Sequence, residues 1–306
     1  MALTGVLRPG HAQLRVLDLE EGVRHYRDVL GMVETGRDAS GRVYLKCWDE
    51  RDHSSLILRE ADRAGIDFFA FKVLDDATLV SLTDRLIAHG LTVDEVEPGA
   101  DPGVGRRIGF TIPSGHRIEL FAEMEFSDRG PQVINPNVWP EEPKGMAVTR
   151  FDHALLYGPN IPDVVEIFTE VLDFKVAERA DLGNGAQAVW LTTSNKAHDI
   201  AFVEIPEPGR FHHVAFYLET VNAVVHAGDI MAYYDIPIDI GPTRHGITRG
   251  HTIYFFDPSG NRNEVFAGGY TYYPDNPTRT WNEQELGKAI FYYEKALNER
   301  FLGVVT

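Results

Sequence analysis

An α+β fold, built from one βαβββ unit used four times, is what the sequence predicts, and three observations carry it. The segment from Ile108 to Phe121 aligns without a gap on Ile253 to Phe266, with Ile, Phe, Pro-Ser-Gly, Arg, Glu and the final Phe coinciding at an offset of 145. Phe69-Ala70-Phe71 returns as Val214-Ala215-Phe216 at the same offset, and Gly10-His11-Ala12 as Asp152-His153-Ala154 at an offset of 142. Inside the second half, Arg150-Phe151-Asp152-His153 recurs 60 residues on as Arg210-Phe211-His212-His213, and Glu204 corresponds to Glu264 at that spacing. Strands in sequence with one helix per unit imply helices packed on one side of curved sheets.

Each unit is expected to open with a short alternating strand such as Phe151 to Tyr157. A helix follows. Val164, Ile167, Phe168, Val171 and Leu172 form one apolar face in the third unit, and Leu19, Val23, Tyr26 and Leu30 do so in the first. Three strands close each unit. The last two of the fourth unit read as a hairpin, because two aromatic-rich runs flank Asp257-Pro258-Ser259-Gly260. A type I turn with Gly260 left-handed gives a three-residue loop closed by Asp257 and Asn261, which sets Tyr254 opposite Glu264. The expected domains are 1–122, an N-terminal pair of units, and 149–270, a C-terminal pair, joined by a Pro-rich connector at 123–148. In the tail, 271–306, Thr280-x-x-Glu283 has the capping-box pattern, and Leu286, Ile290, Tyr293, Leu297 and Phe301 recur at helical spacing. That predicts a terminal helix of about four turns.

Composition narrows the function. A net charge of -17 makes nucleic acid and anionic membrane poor partners. One cysteine, Cys47, excludes an intramolecular disulfide and fits a reducing compartment. No apolar run approaches the ~20 residues that span a bilayer. The opening residues carry no signal-peptide pattern, so a cytoplasmic protein is expected.

The halves differ where chemistry is carried. The second has His153, His213 and Glu264 at positions where the first has His11, Phe68 and Glu119. Two histidines and a carboxylate that leave positions open form the facial triad of non-haem Fe(II) sites, and the same donors suit Mn(II). No cysteine accompanies them, which disfavours structural zinc. His11 and Glu119, without a third member, read as the remnant of a duplicated site. Strand alternation puts His212, like Asp152, on the face opposite the ligands. His198, His245 and Tyr254 are further candidates: Tyr254 shares its face with Glu264, and the histidines supply groups that titrate near neutrality.

His245, the seven residues that follow, and Ile253-Tyr254-x-x-Asp257-Pro258-x-Gly260-x-x-x-Glu264 form a specific signature. With Asp239 to Gly246 and Leu286 to Tyr292, it makes the chain resemble the type I extradiol dioxygenases, and among them the catechol 2,3-dioxygenase subfamily, over nearly its whole length. The resemblance implies the vicinal-oxygen-chelate fold, a homotetramer, and a small-molecule catechol substrate opened beside its diol with O₂ as co-substrate. It implies His153, His213 and Glu264 as Fe(II) ligands, His198 as acid–base residue, and His245 and Tyr254 as hydrogen-bonding residues for substrate or intermediates. Two rival readings remain in the same fold. One is another metal enzyme, although glyoxalase I has Glu or Gln where this chain has His. The other is a drug-sequestering binding protein, although those are shorter and have no triad.

Overall fold

The computed structural model describes residues 5–140, 142–183 and 185–306. The βαβββ order appears four times. The first unit is β1 (Val6–Val16), α1 (Leu19–Arg24, continued by a π-helical turn His25–Val29), β2 (Val33–Arg37), β3 (Val43–Lys46) and β4 (Leu56–Glu60). The second is β5 (Gly65–Val73), α2 (Asp76–Ala88), β6 (Val93–Val96), β7 (Arg107–Thr111) and β8 (Arg117–Phe121). The third is β9 (Arg150–Gly158), α3 (Ile161–Glu166, continued by a π-helical turn Ile167–Val171), β10 (Lys175–Gly183), β11 (Ala186–Thr192) and β12 (Ile200–Glu204). The fourth is β13 (Arg210–Tyr217), α4 (Val221–Tyr233), β14 (Ile238–Arg244), β15 (Gly250–Phe256) and β16 (Arg262–Gly268).

Local chemistry sets the helix starts. Asp18, Asp75 and Thr220 cap α1, α2 and α4 by accepting from the backbone N–H three residues on, and Pro162 stands in the first turn of α3. The apolar faces anticipated for the first and third helices are buried, and all four helices contribute to one core that runs through both halves.

Two sheets result, in the orders β2-β3-β4-β1-β5-β8-β7-β6 and β14-β15-β16-β13-β9-β12-β11-β10, the second extended by β17 (Arg279–Trp281). In each sheet two units join through their first strands, antiparallel: β1 with β5, and β9 with β13. The pairing of β9 with β13 contains two bulges. Phe211 lies opposite Leu156 and His213 opposite Leu155, so His212 is the extra residue. Ala215 lies opposite His153 and Phe216 opposite Phe151, so Asp152 is the extra residue on the other strand. The bulges reset the alternation. Phe151 and Phe211 face the helix-side core, while His153 and His213, two residues further, face the other way.

The tail is not the single helix that its periodicity predicts. Thr280 lies in β17, which pairs with the edge strand β10, and Asn282 caps a short 3-10 turn instead. Two short helices follow, α5 (Leu286–Ile290) and α6 (Glu299–Gly303). Phe291 is extended and Lys295 is left-handed, so the helical path breaks between them. Docking to the second sheet overrides propensity here. Gly246 and Ile247 donate to the Ala289 carbonyl, Tyr292 donates to that of Arg244, and Thr306 exchanges two backbone bonds with Phe211. Among the described residues, no helix is long and apolar enough to cross a membrane.

Candidate metal centre

Three neighbouring strands deliver the triad. Ala215 of β13 has His153 of β9 on one side and Glu264 of β16 on the other, so the three share a face. His213, two residues before Ala215, shares it too. Ala215 is thus the small floor between the three larger groups, and it is fully buried. The hairpin has the expected register. Tyr254 pairs with Glu264, Asp257 N–H donates to Asn261 C=O at 2.9 Å, and Gly260 is left-handed at φ 93°.

One donor atom from each of His153, His213 and Glu264 lies within 4.8 Å of the others. His153 Nε2 and His213 Nε2 stand 3.2 and 3.1 Å from Glu264 Oε2. Thr252 Oγ1 donates to Glu264 Oε1 at 2.6 Å. Burial opposes ionisation of Glu264, but the imidazoles of His153 and His213 beside it outweigh burial and hold the carboxyl well below its usual range. Burial pushes His213 down to about 4, which leaves a bare imidazole lone pair at neutral pH. Two imidazole nitrogens and an ionised oxygen converging on an ion-sized gap, with one side open to a cavity, fit a divalent ion such as Fe(II) or Mn(II).

The cavity, about 410 Å³, takes in all six expected site residues. The His198 ring lies 3.9 Å from that of His153, and burial, then the neighbouring His153, pushes its pKa well below the ordinary value. In neutral His245, Nδ1 faces the Ile290 carbonyl and must carry the proton, so Nε2 accepts from Tyr254 O–H at 2.8 Å. Burial, then Glu264, pushes the Tyr254 phenol well up, so it stays a donor. The cavity walls are largely apolar, with Leu155, Trp190, Ile247 and Phe301 among them.

Sequence reasoning misses several groups. The expectation that His212 lies on the opposite face is corrected: through its bulge, its Nδ1 comes within 2.7 Å of His213 Nδ1. Asp152 Oδ1 likewise stands 3.0 Å from His153 Nδ1. Thr252 was findable, since it lies two residues from Tyr254 on the same strand face. In the first sheet the matching place is filled differently. Arg107, which aligns with Thr252, sends its guanidinium to Glu119 and Asp101, each at 2.7 Å, beside His11 and Phe68. Arg117 reaches the other oxygen of Glu119 and lies across Gly109, where the second half has Tyr254.

Residues 66–125 match the family model of the catechol 2,3-dioxygenase-like N-terminal domain, and residues 150–265 that of the glyoxalase/bleomycin resistance protein/dioxygenase superfamily. The chain is 53% identical over 304 residues to a metapyrocatechase of Pseudomonas sp. (strain CF600), covering 99% of both chains. It is 32% identical to a manganese-dependent 2,3-dihydroxybiphenyl 1,2-dioxygenase of Geobacillus genomosp. 3, covering 93% of this chain and 92% of that one. Among solved structures, the 2,3-dioxygenase LapB of Pseudomonas sp. KL28 superposes with a TM-score of 0.89 at 56% identity, over 92% of this chain and 99% of that one.

Proposed function

We propose, because this chain belongs to the metapyrocatechase (catechol 2,3-dioxygenase) family of extradiol dioxygenases and opens catechol rings, that His153, His213 and Glu264 hold its metal and that His198, His245 and Tyr254 serve the substrate. The observation that carries the reading is the convergence of three buried donors at the wall of a cavity that the other three residues also line. Fe(II) is the metal proposed, with Mn(II) accommodated by the same donors. Such an ion supplies a Lewis acid and a common binding point for the diol and O₂.

The protein's own groups have distinct tasks. His198, neutral in its buried position, accepts a proton from a catechol hydroxyl at a ring nitrogen and returns it to the departing oxygen as the ring opens. Tyr254, whose O–H is held by His245 Nε2 before substrate binds, turns that O–H to the reacting oxygens once substrate is in place. The Ile290 carbonyl fixes the His245 tautomer. Leu155, Trp190, Ile247 and Phe301 exclude water and hold the ring in one plane. The cavity volume leaves room for methyl- and chloro-catechols beside catechol itself.

The same reading makes the enzyme a cytoplasmic homotetramer. Exposed Val133, Ile134 and Val138, together with Tyr233, Tyr273 and Tyr293, support apolar subunit contacts. The test of function is anaerobic loading with Fe(II) or Mn(II), then air and catechol, following O₂ uptake and visible absorbance. One O₂ consumed per catechol with a yellow semialdehyde product is expected. A colourless diacid would mean cleavage between the hydroxyls and would overturn the assignment of roles.

A further inference from the structure

The residue immediately before each proposed metal-binding histidine is a bulge residue, and each touches that histidine's far nitrogen. Asp152 Oδ1 is 3.0 Å from His153 Nδ1, and His212 Nδ1 is 2.7 Å from His213 Nδ1. The two bulges sit at equivalent places on the paired strands β9 and β13. The first sheet keeps both, at Gly10 before His11 and at Asp67 before Phe68, but there neither is set against a ligand pair. Gly10 has no side chain, and Asp67 is engaged by Arg15, Arg59 and Gln13.

Both bulge residues are themselves anchored. Asp152 is fully buried, and Lys196 and Arg150 reach its carboxylate at 3.2 and 3.0 Å. The second ring nitrogen of His212 is 2.8 Å from the Phe301 carbonyl. Its ring stacks on Tyr157, with centroids 4.9 Å apart. A histidine that gives Nε2 to a metal carries its proton on Nδ1. His153 then donates that proton to Asp152. His213 donates its proton to His212 Nδ1, so in the metal-loaded form His212 carries its own proton on Nε2 and donates it to Phe301 C=O; Arg262 Nη1, which lies 2.8 Å from that same nitrogen, then keeps only its bond to the Val304 carbonyl.

We infer that Asp152 and His212 are positioning residues, delivered by paired β-bulges, that fix the ring plane and tautomer of His153 and His213 toward the metal. The inference rests on the proposed ligand set. His212 does more than a carboxylate would, because it ties His213 to the carbonyl of a residue 88 positions away in α6.

The test compares His212→Gln with His212→Leu. Glutamine can accept from His213 N–H and donate to the Phe301 carbonyl, whereas leucine can do neither. Metal affinity and the rate of metal loss to a chelator are measured with Mn(II), alongside the melting temperature of the metal-free forms. We expect His212→Leu to bind about 10–100-fold more weakly at an unchanged metal-free melting temperature, and His212→Gln to stay near the parent. Parent-like affinity in His212→Leu overturns the inference, as does an equal loss in both variants. Ring ¹⁵N resonances of the Zn(II)-loaded parent decide the matter should His212→Leu not fold. Protons on His213 Nδ1 and His212 Nε2 are expected, and a proton on His212 Nδ1 would refute the relay. His213→Ala separates the two levels: if it keeps full affinity, the ligand set is wrong; if it alone loses metal, only the positioning role fails.

Discussion

At the scale of single residues, the halves differ in how they treat a buried imidazole. His11 is fully buried between the rings of Phe68 and Phe121, and neither of its nitrogens has a hydrogen-bond partner among the described residues. Burial, then Arg107 and Arg8, pushes its pKa down to about 3. The unfolded chain, with an ordinary value near 6.5, takes the proton first. Stability is therefore unaffected above about pH 6.5 and falls by about 1.4 kcal/mol per pH unit from there toward about 3. His11→Leu should remove that share of the slope, which urea melts at about pH 6 and pH 4.5 would reveal. An unchanged slope would mean that His11 gains a proton partner on acidification. The chemistry-bearing side chains were the legible part of this site. His153, His213 and Glu264 stand out because the internal repeat lines them up against a half that lacks the middle member. Asp152 and His212 were misread because one inserted residue reverses strand parity, and no local composition announces a bulge.

At the scale of elements, the units were legible and the tail was not. Apolar spacing and turn residues act within a few positions, so helix faces and the Asp257 to Gly260 turn come straight from the sequence. The tail shows the same spacing, but its conformation follows from what it docks on. Leu286, Ala289, Phe291 and Phe301 are buried, whereas Tyr293 and Leu297 of the same periodic series are exposed. The Phe301 ring packs on Tyr254 at 4.8 Å and on His212 at 4.8 Å, and its carbonyl faces His212. Phe301→Ala should lower stability by about 3 kcal/mol. It should also reduce kcat/KM for catechol by on the order of tenfold, since two groups at the reaction site lose their wall. Lower stability with unchanged kcat/KM would reduce α6 to a structural cover.

At the scale of the molecule, duplication has been resolved into one half that carries the proposed metal centre and one half whose matching carboxylate is neutralised by arginine. Glu119 meets the fixed cation Arg107 where Glu264 meets histidines. Both solutions balance a buried carboxylate, one with a side chain and the other with groups suited to an ion. The double substitution Phe68→His with Arg107→Thr restores the donor set around His11 and Glu119, and it should raise metal content from one ion per chain to two. A folded double variant that still binds one would show that the geometry, and not merely the side chains, has drifted. The tail carries a consequence of another kind, which concerns time. A ribosome releases His153, His213 and Glu264 before it releases the carbonyls of Ile290 and Phe301 that orient His245 and His212. An ion caught by the growing chain thus meets imidazoles whose braces have not yet been made. Secure retention of the metal then becomes a property of the completed chain, so a prematurely terminated product, though it contains every proposed ligand, would hold its ion loosely.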